Sequence, residues 1–220
     1  QRQMCIRDRD KKYHFIKGIT PLEFYHEYTD ININDYICIT NMPTKDKPFN
    51  RTYTVKYLQN VIEEKMPLFL NLPIEELKSL VIKQLQAREV VFIGCDYKKT
   101  LDVKDGVFDD KSFNYYDTFK TDFYMSKEEA FDNYESSMNH AMVVTGVNLE
   151  DNKSTKWKLE NSWGEDVGNK GYFVASDTWF DKYVYQAVIN KKYLSSEQLE
   201  ELKLAPVELK PWDPMGTLAR

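Results

Sequence analysis

Residues 140–161 constrain this chain more tightly than any other stretch. His140 stands at the start of one apolar strand candidate, 141–147, and Asn161 ends a second, 155–160, before the chain continues Ser-Trp-Gly. Any fold that suits both must hold a histidine at the head of one strand and an asparagine at the foot of another. An asparagine side-chain oxygen can accept an imidazole N–H and fix the ring's tautomer without adding charge. Each piece has a plainer meaning alone. A single histidine beside an apolar strand is more often a core or surface residue, and Asn-Ser-Trp-Gly can be a turn with an anchoring tryptophan. The order and the flanking strands make them a candidate pair. His14 and His26 have no comparable setting, and the ligand spacing of a three-histidine metal site is absent.

The remainder of the chain suits an α+β fold. With 220 residues, 42% of them hydrophobic and 14% aromatic, the chain can bury a real core as one large domain or two small ones. Thr20-Pro21-Leu22-Glu23 reads as a capping box that starts a helix reaching about Tyr28. Strands are expected at 36–40 and 52–58. A helix opening at Pro73 should run to about Ala87, because Ile74, Leu77, Leu80, Val81 and Leu85 recur at helical spacing. The apolar run 90–95 reads as a strand buried on both faces, and 97–124 as a long surface excursion. Ser126-x-x-Glu129 predicts a helix to roughly Glu135. Strands at 171–175 and 184–190 and a helix over 195–204 follow, and a proline-punctuated tail closes the chain. The organisation expected is a mixed helical insert over 10–89, a barrel part over 90–194, and a helix with tail over 195–220.

A net charge of −5 gives no general electrostatic reason to bind nucleic acid or an anionic membrane. No apolar run approaches bilayer length and neither end reads as a signal peptide. Three cysteines in unrelated contexts form neither a disulfide framework nor a zinc spacing, so a reducing, cytoplasmic compartment is the default. Residues 1–9, Gln-Arg-Gln-Met-Cys-Ile-Arg-Asp-Arg, have no periodicity. They resemble the in-frame translation of a transposase adaptor used in sequencing libraries, a segment to leave out of fold reasoning.

Beyond the pair, the segments 20–25, 71–77, 94–96, 155–157, 160–166, 170–172 and the tail Pro-Trp-Asp-Pro-Met-Gly-Thr-Leu-Ala at 211–219 together resemble the aminopeptidase C and bleomycin hydrolase family. This is a branch of the papain-like cysteine peptidases, and the chain resembles its C-terminal half from about Lys17 onward. The resemblance implies His140 and Asn161 on neighbouring barrel strands as the catalytic base and its orienter. Trp163 is then the shield of their hydrogen bond, and Gly164 permits close backbone approach. It implies a homo-hexamer, peptide substrates, and no metal or organic cofactor. It also implies that the tail, ending at Ala219 and Arg220, lies in the cleft, where its terminal carboxylate meets the α-amino group of a peptide. The plainer alternative is that Trp212, Met215 and Leu218 only pack the tail on the body.

The nucleophilic cysteine is the missing part. In ordinary papain-like enzymes it precedes the histidine by about 130–150 residues, which points to Cys5. Its neighbours Met4 and Ile6, however, lack the upstream glutamine and downstream aromatic residue of such a site. Cys38 and Cys95 fall in strand-like apolar runs, where a cysteine is usually a small buried hydrophobe. The reading is therefore a fragment of a cysteine aminopeptidase, inactive alone, whose nucleophile lies in a missing N-terminal half. The alternative is a non-catalytic papain-like binding or assembly module that has lost its nucleophile.

Overall fold

The computed structural model describes residues 12–216 and the backbone of residues 3–7. Cys5 is thus described by its backbone alone, and Ala219 and Arg220 lie outside the described residues. The chain divides into two compact units, Gln1–Asn34 and Asp35–Arg220. In the first, β1 (Gln3–Arg7) pairs antiparallel with β2 (Tyr13–Lys17), and α1 (Pro21–Tyr28) follows. The capping box forms as the sequence predicts: Glu23 N donates to Thr20 Oγ1 at 3.2 Å and Thr20 N to Glu23 Oε2 at 2.6 Å.

The second unit runs β3 (Tyr36–Thr40), β4 (Arg51–Val55), β5 (Phe69–Asn71), α2 (Ile74–Gln86), β6 (Val91–Cys95), β7 (Leu101–Asp102) and β8 (Val107–Phe108). It continues α3 (Tyr115–Phe119), α4 (Lys127–Asp132), β9 (His140–Glu150), β10 (Lys153–Glu160), β11 (Tyr172–Ser176) and α5 (Asp177–Tyr183). β12 (Val184–Asn190), α6 (Ser196–Glu201) and β13 (Val207–Leu209) complete it. Eleven of the described strands join one sheet in the order β13-β4-β5-β3-β12-β6-β9-β10-β11-β8-β7. β3, β4 and β5, which fall in the segment read from sequence as an insert, are hydrogen-bonded into the same sheet as the barrel strands.

Successive residues of a strand face opposite sides, and this sheet carries a core on each. Ile39, Leu70, Ile93, Val144, Trp157 and Ala187 pack with the inward faces of α2 and α5. Their strand neighbours Cys38 and Phe69 turn the other way, onto Met42, Tyr53, Val55, Phe131, Tyr185 and Met215. β6 is not buried on both faces, because Phe92 is 52% exposed. β6 lies between antiparallel partners β12 and β9, and an antiparallel sheet can leave one face to solvent.

Boundaries also moved. β9 includes His140 and runs to Glu150, because Asp151 and Asn152 both take positive φ (50° and 63°) and form a two-residue hairpin turn into β10. α5, unforeseen from sequence, is capped by Ser176 Oγ, which accepts from Trp179 N, and it buries Trp179 and Phe180. Its short apolar stretch gives no helical period to read. The 97–124 excursion is anchored by buried Phe108 but leaves Tyr115, Phe119 and Phe123 exposed. No described helix is long and apolar enough to cross a membrane.

Candidate active site

The hairpin β9–β10 delivers the two predicted residues to each other. His140 begins β9, paired in register with Cys95 of β6, and Asn161 follows the last residue of β10. Asn161 N donates to Gly171 O at 3.0 Å, so the asparagine is also tied to the turn entering β11. His140 Nε2 and Asn161 Oδ1 are 2.9 Å apart. Ser162 N donates to the same oxygen at 2.8 Å. That second bond matters, because a backbone N–H can only face the amide oxygen, which fixes the side-chain orientation of Asn161. The oxygen then requires a proton on Nε2, leaving Nδ1 of the neutral ring with its lone pair free to accept a proton.

Aromatic rings cluster around the imidazole. The Trp163 ring lies 5.2 Å from His140, tilted by 31°, and is itself wedged edge-on by Phe173 at 5.9 Å. Tyr97, which the sequence reading assigned to the surface excursion, brings its ring to 4.7 Å from His140 and 5.4 Å from Trp163. The only sequence signal for it was its place two residues beyond the apolar run of β6. With low-dielectric walls a hydrogen bond gains strength and loses competition from water. Gly164 has a different role from the one expected: φ is +90° and a Cβ there would meet nothing within 4 Å beyond its chain neighbours, so the glycine serves conformation, not space. The close approach is at Gly171, where φ is +85° and a Cβ would meet Gly164 O at 3.1 Å.

The cysteines with described side chains are poor nucleophiles. Cys95 is buried, and burial together with the adjacent Asp96 charge pushes its thiol well above the usual range. Burial raises Cys38 to about 12. A reactive thiol needs the opposite shift. His14 and His26 belong to the first unit. Among the described residues no group of His, Cys, Asp or Glu is arranged to hold a metal ion.

Comparison with known proteins matches the chain to a family. The Peptidase C1-like family covers residues 2–216. Aminopeptidase C of Lactobacillus delbrueckii subsp. lactis is 48% identical over 215 residues, which is 96% of this chain and 48% of that protein. Mouse bleomycin hydrolase is 42% identical over 219 residues, covering 97% of this chain and 48% of that protein. The crystal structure of PepW from Lactobacillus rhamnosis HN001 superposes with a TM-score of 0.89 at 49% identity, over 97% of this chain and 49% of that one. The chain spans about half the length of the relatives it matches, and it belongs to the Peptidase C1-like family, with the α+β, papain-like fold of those peptidases.

Proposed function

We propose that this chain is the histidine- and asparagine-bearing half of a cysteine-type aminopeptidase that removes N-terminal residues from short peptides. The 2.9 Å contact between His140 Nε2 and Asn161 Oδ1, with its direction fixed by Ser162 N, carries the reading. Nδ1 of His140 takes the proton of a cysteine thiol supplied by a part of the protein outside this chain. The thiolate attacks the peptide carbonyl carbon, and the imidazolium returns the proton to the departing amine. The neutral imidazole then draws a proton from water, which hydrolyses the thioester. Asn161 holds the ring in the tautomer that permits each transfer, and Trp163 keeps water from their bond.

The tail supplies the exopeptidase limit. Its root is firmly held: Met215 is buried in the cluster with Tyr53, Val55 and Tyr185, and Met138, two residues before His140, packs against the same cluster. Lys47 Nζ lies 3.1 Å from Asp213 Oδ2. A tail leaving this root toward the cleft would end at Ala219 and Arg220, its carboxylate set to pair with a substrate ammonium. The family resemblance extends the proposal to a cytoplasmic homo-hexamer acting on peptides, without nucleic acid or membrane partners.

The test is a fusion of residues 12–220 behind the N-terminal half of the L. delbrueckii enzyme. Aminoacyl-coumarin amides and their N-acetylated forms are the substrates. Turnover of the free-amine substrate alone, lowered about 10²–10⁴-fold by His140→Ala, is the expected result. A folded fusion that hydrolyses neither would remove the peptidase reading. Equal turnover of the acetylated substrate would remove only the tail's role.

A further inference from the structure

We propose that Asp96 is a positioning residue for His140, acting through the turn 136–139; the inference rests on the His140–Asn161 reading above. Asp96 directly follows Cys95, the register partner of His140, and is 2% exposed. Its carboxylate is occupied on both oxygens by neutral donors. Oδ2 accepts from Ser136 Oγ at 2.9 Å and Ser137 N at 3.3 Å. Oδ1 accepts from Asn139 Nδ2 at 2.7 Å and Lys98 N at 3.2 Å. Three of these four donors lie on the turn that ends one residue before His140.

Asn139 closes the arrangement. Its Oδ1 accepts from Tyr97 N at 3.2 Å, and its own N donates to Cys95 O at 3.0 Å. The carboxylate and this amide therefore fix two things together: the backbone entering His140, and Tyr97, whose ring packs on the imidazole. Tyr185 OH donates to Ser136 Oγ at 2.8 Å and Asp96 N to Tyr183 O at 2.9 Å, which ties the turn to the central strand β12 and the residue before it. Burying a carboxylate on neutral donors alone is costly, and for holding a sheet together a well-packed apolar residue serves as well. What an apolar residue cannot do is fix a polar turn in one geometry. Proton transfer needs that, since a displacement of about 1 Å at the reacting group can cost 10²-fold.

The chain contains three histidines, so ¹⁵N-imidazole NMR of the selectively labelled protein reads His140 directly. In the unaltered chain its Nε2 should give a pyrrole-like signal and its Nδ1 a pyridine-like one, the pattern of a single Nε2–H tautomer. Asp96→Asn keeps the shape but turns a donor toward donors, and both His140 signals should move toward averaged values. Leu80→Ala, in the core on α2, should lower the unfolding midpoint and leave those signals in place. Asn139→Ala removes two of the bonds, one to the carboxylate and one to Tyr97, while Asp96 itself stays, should shift the same signals, and decides the matter if Asp96→Asn does not fold. Unchanged signals in the folded Asp96→Asn chain, or in Asn139→Ala if the former fails, would overturn the proposal. So would Leu80→Ala shifting them equally. Averaged signals in the unaltered chain would instead overturn the His140–Asn161 reading, and the positioning role with it.

Discussion

Asn71 and Asn161 invite comparison, because both are buried and both stand at the foot of a strand. Asn71 is fully engaged with backbone. Its Nδ2 donates to Met42 O at 3.0 Å and Lys47 O at 2.8 Å, and its Oδ1 accepts from Met42 N at 2.9 Å. Asn161 uses only its oxygen, shared between Ser162 N and the His140 ring, and among the described residues its Nδ2 meets no acceptor. The first amide stands in for a stretch of missing ladder and shapes the loop over residues 42–47. The second fixes the orientation of a titratable ring and leaves part of its own capacity unused. Buried polarity that is spent on backbone builds structure, whereas the oxygen of Asn161 is aimed at a titratable side chain.

The sharpest way to break that contrast is to remove each side chain. Asn71→Ala strands three backbone groups, at about 1–3 kcal/mol each if buried and unpaired. A loss of at least about 3 kcal/mol is expected, large beside the 5–15 kcal/mol that ordinarily holds a domain together. Urea unfolding of the chain measures it. Asn161→Ala should cost about 1 kcal/mol in the same experiment, because the adjoining Ser162 is exposed. In the fusion enzyme it should lower kcat on the order of 10²-fold with KM little changed, since the ring loses its fixed tautomer. If Asn161→Ala unfolds the protein as Asn71→Ala does while sparing kcat, the distinction between the two asparagines is wrong.

How far each asparagine could be read in advance differs for a physical reason. His140 and Asn161 were legible because each abuts an apolar run that announces a strand; the Asp151-Asn152 turn that joins those strands emerged only with the structure. The helices were legible where a capping box or a 3.6-residue period marked them, as at Thr20 and Leu77. Asn71 gave no such sign. Its partners Met42 and Lys47 are 29 and 24 residues away, and β5 is three residues long. Tyr97 and Asp96 were missed for the same reason: their roles arise from contacts with a turn some forty residues on. Local pattern predicts elements, and long-range side-chain to backbone bonds stay invisible until those elements are assembled.

The bond between Asn161 and His140 can be weakened without deleting either partner. Trp163 is 37% exposed and its ring lies 5.2 Å from that of His140, where the proposal makes it the shield of that bond. Trp163→Ala admits water to it and should forfeit about 1 kcal/mol, or roughly fivefold in kcat of the fusion enzyme. Trp163→Phe should retain most of the rate. Equal rates for Ala and Phe would mean that the ring packs the turn and does not shield the pair.

The smallest effect connects the two asparagines. Asn71 holds the carbonyl of Lys47, and the buried Lys47 ammonium reaches Asp46 at 2.8 Å and Asp213 of the tail at 3.1 Å. Burial pushes the Lys47 ammonium down, but Asp46 and Asp213 outweigh it and hold the group above its ordinary value. Burial would likewise raise Asp46, and the bond from the Lys47 ammonium helps hold it below its ordinary value instead. A carboxyl depressed on folding contributes stability above its unfolded value of about 3.9 and loses it as pH falls through the folded value. The raised ammonium contributes fully below about 10.4 and fades above that. Asp46→Asn should therefore lower the thermal midpoint between pH 5 and 9, by a degree or two because Asp46 is 65% exposed, and the gap should close below about pH 4. Asp213, at 12% exposure, is the inner partner. If the tail governs the cleft, Asp213→Asn should let the fusion enzyme accept an N-acetylated substrate that it otherwise refuses. The structural asparagine would then influence specificity at a distance, through the lysine whose backbone it holds. If Asp213→Asn changes the midpoint and leaves the substrate choice intact, the latch belongs to the fold alone and the contrast between the two asparagines stands without qualification.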